Sequence, residues 1–188
     1  MPECGGLRDL RYSSWHRPQG IRRLFEAWRL PENTMKVFFY GLFMDESLLA
    51  SKGIRPGSSE PGYVDGFRLH IGERATLLPA QHSRSYGVLM EISADQAAAL
   101  YSDRSVCDYV AEPVMVHLAN DTQVAAVCYN LPATRLTGSN PQYAAALLAL
   151  ATRLGMPDRY LARIRSAAGI GCGNVSGSHS PNAPGEET

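Results

Sequence analysis

The sequence has no excess of charge of either sign, because its 18 Lys and Arg residues balance its 18 Asp and Glu residues. A neutral chain lacks the overall field that draws proteins to DNA, to an RNA backbone or to an acidic membrane surface. Nucleic acid is therefore not an expected partner. The chain also lacks the run of roughly 18 apolar residues that a membrane helix needs, and no apolar signal segment opens it. We expect a cytoplasmic protein without a membrane segment.

Cysteine is scarce and scattered. The four residues, Cys4, Cys107, Cys128 and Cys172, form no C-x-x-C pair and have no histidines at ligand spacing. Neither a zinc site nor a disulfide framework is indicated. We interpret the cysteines as reduced thiols, and we expect no bound metal.

The length of 188 residues suits one domain with a real core. Residues 1–34 are arginine-rich and show no strand alternation, which predicts either a loosely ordered extension or a segment docked through Phe25 and Trp28. The domain is expected over 35–168. Residues 169–188 are rich in Gly, Ser and Pro and predict a disordered tail.

Apolar runs bounded by turn residues predict short strands, at 36–40, 63–72, 74–79, 86–92, 112–119 and 123–131. The segment 81–85 is expected to be a loop and 120–122 a hairpin turn. Capping residues predict helices at 45–53, 94–101, 142–155 and 158–168. No regular βαβ repeat is present, so an α+β fold with a mixed, mostly antiparallel curled sheet is expected.

The stretch "VFFYGLFMDESLL", residues 37–49, predicts a strand that turns into a helix at Gly41. A glycine here would free the backbone to turn, and the next amides would point outward, where they can hold an anion or a developing oxyanion. The alternative is a simple turn in which Tyr40 packs in the core.

This stretch, followed in order by "GYVDGFRLHIG", "RATLLPAQHSRSYGVLMEIS" and "LYSDRSVCDY", resembles the gamma-glutamylcyclotransferase family, also called AIG2-like. The resemblance implies a small curled barrel flanked by helices, with a pocket at the first-strand loop and no metal or cofactor. It also implies a small-molecule γ-glutamyl substrate, whose α-amine attacks the γ-carbonyl to give 5-oxoproline and a released amine.

The resemblance also implies the roles of several residues. The loop is expected to cradle the oxyanion and the substrate, through Tyr40, Gly41, Leu42, Phe43 and Met44. The position of the family's glutamate holds Arg104, so the nearest acid, Asp103, is the candidate proton shuttle, with Asp108 as a second. The alternative for Asp103 is an exposed acid that pairs with Arg104 or caps a turn.

Leu42 and Phe43 replace polar residues common in the family's loop, which makes the pocket more apolar. Arg74 is a candidate partner for a substrate carboxylate, although an arginine at a strand end is often a solvated surface charge. Tyr109 lies near the family's pocket-side tyrosine and is a candidate contact, or simply a strand residue.

A second function is left open by these departures from the family pattern. A protein of the same fold without turnover would hold a small ligand or a partner in an apolar mouth around Leu42, Phe43 and Tyr101. Such a protein would turn Asp103 outward to solvent. The sequence does not indicate an oligomeric state.

Overall fold

The computed structural model describes residues 33–168. Across this range the chain forms five strands, β1 (Thr34–Phe39), β2 (Ser59–Ile71), β3 (Ala75–Ser93), β4 (Val110–Leu118) and β5 (Gln123–Asn130). It also forms four α-helices, α1 (Glu46–Ser51), α2 (Ala94–Ser102), α3 (Pro141–Arg153) and α4 (Asp158–Ala167), and two short 3-10 helices, Leu42–Met44 and Ala133–Arg135. The predicted α+β class is confirmed.

The strands close into a barrel in the order β1-β3-β2-β4-β5. The pairs along that order are antiparallel. The barrel closes through a parallel pairing of β1 with β5, in which Val37 is opposite Val127. A mixed, mostly antiparallel curled sheet flanked by helices is therefore what the chain forms.

The first strand is buried on both faces at its end. Val37, Phe38, Phe39 and Tyr40 are all buried, as expected for a continuous apolar run that lies between two neighbouring strands under a layer of helices. The strand thus delivers Tyr40 and Gly41 from inside the barrel wall to its rim.

Three of the four predicted helix starts are confirmed by side-chain caps, and the fourth, after Pro157, has none. The Ser47 N–H donates to Asp45 Oδ1 at 2.9 Å at the start of α1, and Ser93 forms a capping box with Gln96 at the start of α2. At the start of α3, the Tyr143 N–H donates to Asn140 Oδ1 at 2.9 Å. This last cap orients the first turn of α3, which carries Tyr143 into the pocket described below.

The third strand is continuous where a break was predicted, but it bulges at that place. β3 runs without interruption through Pro79 and through the segment 81–85 that was expected to be a loop. Its pairing with β2 shifts there, because Asp65 is opposite Arg84 and Phe67 is opposite Pro79, so residues 80–83 of β3 bulge out of the ladder with His82 at a φ of +58°. Arg84 Nε donates to Asp65 Oδ1 at 2.9 Å across the two strands. The polar residues that suggested a loop therefore belong to an exposed part of a long hairpin.

Part of the predicted domain division lies outside the described residues. Of the extension expected over 1–34, only Asn33 and Thr34 are described, and Thr34 opens β1. The tail expected over 169–188 lies wholly outside. In the described range, no helix has the length and apolarity needed to cross a membrane.

Candidate functional site

A pocket of about 210 Å³ opens where β1 leaves the barrel. It is bordered by the 3-10 helix, the end of α1, the segment after α2 and the first turn of α3. Aromatic side chains form most of its wall, namely Phe38, Phe39, Tyr40, Phe43, Tyr101, Tyr109, Tyr129 and Tyr143.

The structure brings most of the predicted site residues together at this pocket. Its lining includes Tyr40, Gly41, Leu42, Phe43, Arg74 and Tyr109. Met44 is not among the lining residues, because its side chain is buried in the core. Asp103 is not among them either and lies beside the pocket. The functional roles assigned from the sequence stay predictions.

The floor of the pocket is a hydrogen-bonded tyrosine. The Tyr40 hydroxyl donates to the Tyr129 carbonyl oxygen at 2.5 Å and lies 2.8 Å from Asn130 Oδ1. Burial raises the pKa of Tyr40 well above its ordinary value, so its hydroxyl stays protonated near neutral pH. Tyr40 is therefore a fixed structural donor rather than a proton acceptor.

One wall is a stack of rings. Tyr101 lies parallel to Tyr129, with ring centroids 3.6 Å apart and an angle of 12° between the planes. Phe43 meets Tyr101 edge-on at a centroid distance of 6.2 Å. Flat aromatic surfaces of this kind favour apolar or planar groups of a ligand.

Gly41 is needed for space and not for backbone freedom, which corrects the expectation from the sequence. Its φ is −109° and its conformation is extended, which any residue can adopt. A Cβ at Gly41 would instead lie 2.7 Å from the Tyr143 hydroxyl. Burial raises the pKa of Tyr143, and the backbone of Leu42 and Ala75 beside its hydroxyl opposes that rise.

The amides of the loop are partly engaged within the protein. Besides the Leu42 backbone contact with Tyr143, the Met44 N–H donates to the Gly41 carbonyl oxygen at 3.1 Å. Leu42 and Met44 are two of the loop positions whose amides the resemblance assigned to an oxyanion. In this conformation the hydroxyl of Tyr143, and not a row of open amides, faces Gly41.

The charged side chains that line the pocket are both cationic. They are Lys52 and Arg74, and none of the lining residues in the described range is an aspartate or a glutamate. A small anion is therefore the ligand that this pocket complements electrostatically. No group of three or more His, Cys, Asp or Glu side chains between residues 33 and 168 is placed to hold a metal ion.

Asp103 follows the end of α2 and is tied to its neighbours. The Ser105 N–H donates to Asp103 Oδ1 at 2.8 Å, and Lys52 Nζ lies 3.3 Å from Oδ2. The Ser105 hydrogen bonds and the Lys52 ammonium lower the pKa of the carboxyl to about 2. A proton shuttle works best with a pKa near the working pH, so this arrangement favours the alternative of an exposed acid that caps a turn. Its ion-pair partner is Lys52 and not the expected Arg104.

The other candidate acid is also outside the pocket lining. Asp108 Oδ1 lies 3.8 Å from an Arg135 nitrogen, and 55% of the Asp108 side chain is exposed. Arg104, at the position of the family's glutamate, is exposed as well.

The sequence analysis missed several lining residues, and the polar ones that matter most are Lys52, Tyr129 and Tyr143. They come from the end of α1, from β5 and from α3, and only the closed barrel brings these segments together. Tyr143 had one local signal, the Asn140-Pro141 helix start, which fixes it in the first turn of α3. That signal predicts a helix but not the direction in which the side chain points.

The fold and the pocket together define a class, that of small closed barrels flanked by helices with a ligand-sized cavity at the end of the first strand. Residues 37–145 match the model of the family described as gamma-glutamyl cyclotransferase, AIG2-like. Since this match covers more than half of the 188 residues, the chain belongs to that family. None of the curated proteins compared with the chain matches it.

Solved structures agree with this assignment at the level of the fold. A protein named gamma-glutamyl cyclotransferase is 17% identical, with a TM-score of 0.58 over 71% of this chain and 87% of its own. YkqA from Bacillus subtilis is 15% identical, with a TM-score of 0.62 over 80% of this chain and 58% of its own. The protein loc79017 from Homo sapiens is 16% identical, with a TM-score of 0.55 over 83% of this chain and 94% of its own.

Proposed function

We propose that this chain binds a small γ-glutamyl compound in the aromatic pocket and cyclises it to 5-oxoproline with release of an amine. The observation that carries the binding part is that the loop after β1 and the cations Lys52 and Arg74 line one pocket. A γ-glutamyl compound offers this pocket a carboxylate for a cation and a chain that fits between rings. The turnover part rests on membership of the family.

The reaction needs little from the protein beyond placement. The α-amine of the bound ligand forms a C–N bond to the γ-carbonyl carbon, and the bond from that carbon to the departing nitrogen breaks. One proton moves from the attacking nitrogen to the departing one, and nothing is oxidised or reduced. Folding the ligand so that its amine reaches its own carbonyl is the main contribution that a pocket can make.

The proton transfer is the step for which Asp103 is the candidate. For that role its carboxylate must leave Lys52 and the Ser105 amide and turn toward the pocket. Because Lys52 also lines the pocket, a ligand carboxylate that pairs with Lys52 would compete with Asp103 for the ammonium. Ligand binding then both releases the carboxylate and, by removing its cationic partner, raises its pKa.

A second function is favoured by one specific observation: no carboxylate is among the described residues that line the pocket. Without an acid in reach of the departing nitrogen, the same pocket would bind a γ-glutamyl compound or another small anion and return it unchanged. This candidate is a ligand-binding protein of the same fold.

One experiment separates the two candidates. The full-length protein is incubated with a panel of γ-glutamyl amino acids and amines, 5-oxoproline is measured by mass spectrometry, and binding is measured in parallel by calorimetry. The variants are Asp103→Asn, which loses the ion pair with Lys52, and, as a matched control, Asp65→Asn. The control loses an exposed carboxylate that pairs with Arg84 and lies away from the pocket.

Each outcome decides something. Release by the wild type and by Asp65→Asn, with none by Asp103→Asn, supports cyclisation with Asp103 as the shuttle. Equal release by all three removes Asp103 from the mechanism but keeps the reaction. Binding without release supports the second candidate, and the absence of both binding and release overturns the proposal.

A further inference from the structure

A second cavity lies between the bulge of the β2–β3 hairpin and α4. Its volume is about 600 Å³, within the range of small-molecule sites. Among the described residues, none that lines the aromatic pocket also lines this second cavity. On the hairpin side its wall contains Gly66 and His82, whose φ values of +80° and +58° mark the bulge. The bulged hairpin therefore forms one wall of the second cavity, and α4 forms the other.

Arginines line the second cavity from both walls. Arg84 comes from β3, and Arg159 and Arg163 come from α4. The two arginines of α4 are four positions apart, so they lie on the same face of the helix. Asp65 is the acidic side chain among the described lining residues, so three guanidinium groups face one carboxylate. The second cavity thus has an excess of positive charge, although the positive and negative residues of the whole chain balance.

The one carboxylate is already paired with the arginine of the hairpin. Arg84 Nε donates to Asp65 Oδ1 at 2.9 Å, and the guanidinium carbon of Arg84 lies 3.7 Å from the centre of the Tyr63 ring. By contrast, none of the ion pairs in the part of the chain that the structure describes includes Arg159 or Arg163. Like charges grouped in this way repel one another, and an anion placed between them removes that cost.

The floor of the second cavity joins its two walls. The Tyr160 hydroxyl, from α4, donates to the Tyr86 carbonyl oxygen of β3 at 3.1 Å, and the two rings meet edge-on with their centroids 5.2 Å apart. Tyr160 is 3% exposed, so this link between helix and strand is shielded from water. The backbone that carries the three arginines is therefore preformed, which lowers the cost of ordering the site when a ligand binds.

We propose that the second cavity is a further ligand site, which binds the phosphate group of a small molecule between Arg84, Arg159 and Arg163. A guanidinium group forms paired hydrogen bonds with phosphate oxygens. The dianion of a phosphate monoester also balances the two arginines that remain after Asp65 has paired with Arg84. A polyanion such as RNA is disfavoured, because the chain as a whole has no net charge to attract it. This inference goes beyond the proposed γ-glutamyl activity and does not depend on it.

Calorimetry on the full chain tests this site at about pH 7.5, where a phosphate monoester is mostly a dianion. Ribose 5-phosphate is the probe, ribose is its neutral counterpart, and a short single-stranded RNA is the polyanion. The site variants are Arg159→Gln and Arg163→Gln. Arg165→Gln is the matched control, because it removes an arginine that belongs to the same helix but does not line the second cavity. Arg74→Gln reports binding in the aromatic pocket instead.

We expect the wild type to bind ribose 5-phosphate and not ribose. Arg159→Gln and Arg163→Gln should each raise the Kd for ribose 5-phosphate about tenfold or more, the size expected when a hydrogen bond to a charged group is lost. Arg165→Gln and Arg74→Gln should keep that Kd within about twofold. Glutamine is close to arginine in helix propensity, so the variants in α4 should keep the circular dichroism spectrum of the wild type.

Four results would overturn the inference. The first is a wild type that does not prefer ribose 5-phosphate to ribose. The second is a loss of affinity in Arg165→Gln equal to that in the site variants, which indicates general attraction by charge. The third is an unchanged affinity in Arg159→Gln and Arg163→Gln, which places the phosphate elsewhere, and a loss in Arg74→Gln then places it in the aromatic pocket. The fourth is tighter binding of the RNA than of ribose 5-phosphate. None of these results involves release of 5-oxoproline, so a failure of this inference is distinguishable from a failure of the proposed function.

Discussion

Replacing Gly41 by alanine tests the contact on which the description of the site depends. The added Cβ would lie 2.7 Å from the Tyr143 hydroxyl and 3.8 Å from Ala75 Cβ. The first distance is far below ordinary van der Waals contact, while the second is normal. The backbone at Gly41 is extended, so no conformational strain is added, and we expect a loss of about 1–3 kcal/mol from overpacking alone.

The same substitution should be nearly harmless where the hydroxyl is absent. Tyr143→Phe by itself should cost about 1–3 kcal/mol, because the polar backbone of Leu42 and Ala75 beside the hydroxyl loses its partner. In that background Gly41→Ala has no overlap to relieve, and its further cost should be below about 0.5 kcal/mol. The two changes are therefore coupled by at least about 1 kcal/mol, and the double variant is more stable than additivity predicts.

Urea unfolding followed by circular dichroism, on the wild type, both single variants and the double variant, gives the four free energies of unfolding. Gly53→Ala is the matched control. Its φ is +79° with no atom within 4 Å of a Cβ, so its cost of about 1 kcal/mol comes from the backbone. That cost should be identical in the wild type and in the Tyr143→Phe background. If Gly41→Ala were as costly in the Tyr143→Phe background as in the wild type, the steric account of this glycine would be wrong.

Two further predictions concern the ion pair and the ring stack. The pKa of Asp103 is lowered from 3.8 to about 2, so its contribution to stability is complete above about pH 4 and is lost as the pH falls toward 2. Asp103→Asn should therefore flatten the pH dependence of the free energy of unfolding in that window, measured by urea titration at a series of pH values. An unchanged slope would contradict the Lys52 and Ser105 contacts. Tyr101→Ala removes the ring stacked on Tyr129, and it should lower the free energy of unfolding by about 2–4 kcal/mol and abolish ligand binding in the calorimetric assay. Tyr101→Phe keeps the ring and should change the free energy of unfolding by less than about 1 kcal/mol.

Local patterns were enough to predict most of the elements of this fold. The apolar run before Gly41, the Asp45 and Ser93 caps and the Asn140-Pro141 helix start all act within a few residues, so their physical causes are visible in the sequence. The α+β class and the curled mixed sheet followed from these elements and from the family resemblance. The pocket at the end of β1 followed from the resemblance alone.

The features that were missed depend on partners far away in the chain. Segment 81–85 has loop-like composition, and its first three residues do bulge out of the ladder, yet β3 continues through it because Arg84 and Ser85 pair with Asp65 and Val64 of β2. The composition of a polar stretch does not reveal whether a neighbouring strand pairs with part of it. Likewise, the reason for a glycine at 41 is the hydroxyl of Tyr143, a contact that exists only after the barrel has closed and α3 has packed against it.

The site also shows why a pocket with a partly exposed ion pair at its edge can still have a fixed floor. Asn130 is 4% exposed, and its amide joins three other strands or strand ends. Its oxygen accepts from the Leu77 N–H at 3.3 Å and lies 2.8 Å from the Tyr40 hydroxyl, while its nitrogen donates to Glu112 Oε2 at 2.8 Å. An amide is suited to this position because it presents donors and an acceptor in one plane, and a leucine of similar size would leave the buried Leu77 N–H without its acceptor. A floor held in this way costs little to order when a ligand binds. Differences in affinity among ligands should therefore reflect the aromatic wall and the cations at the rim.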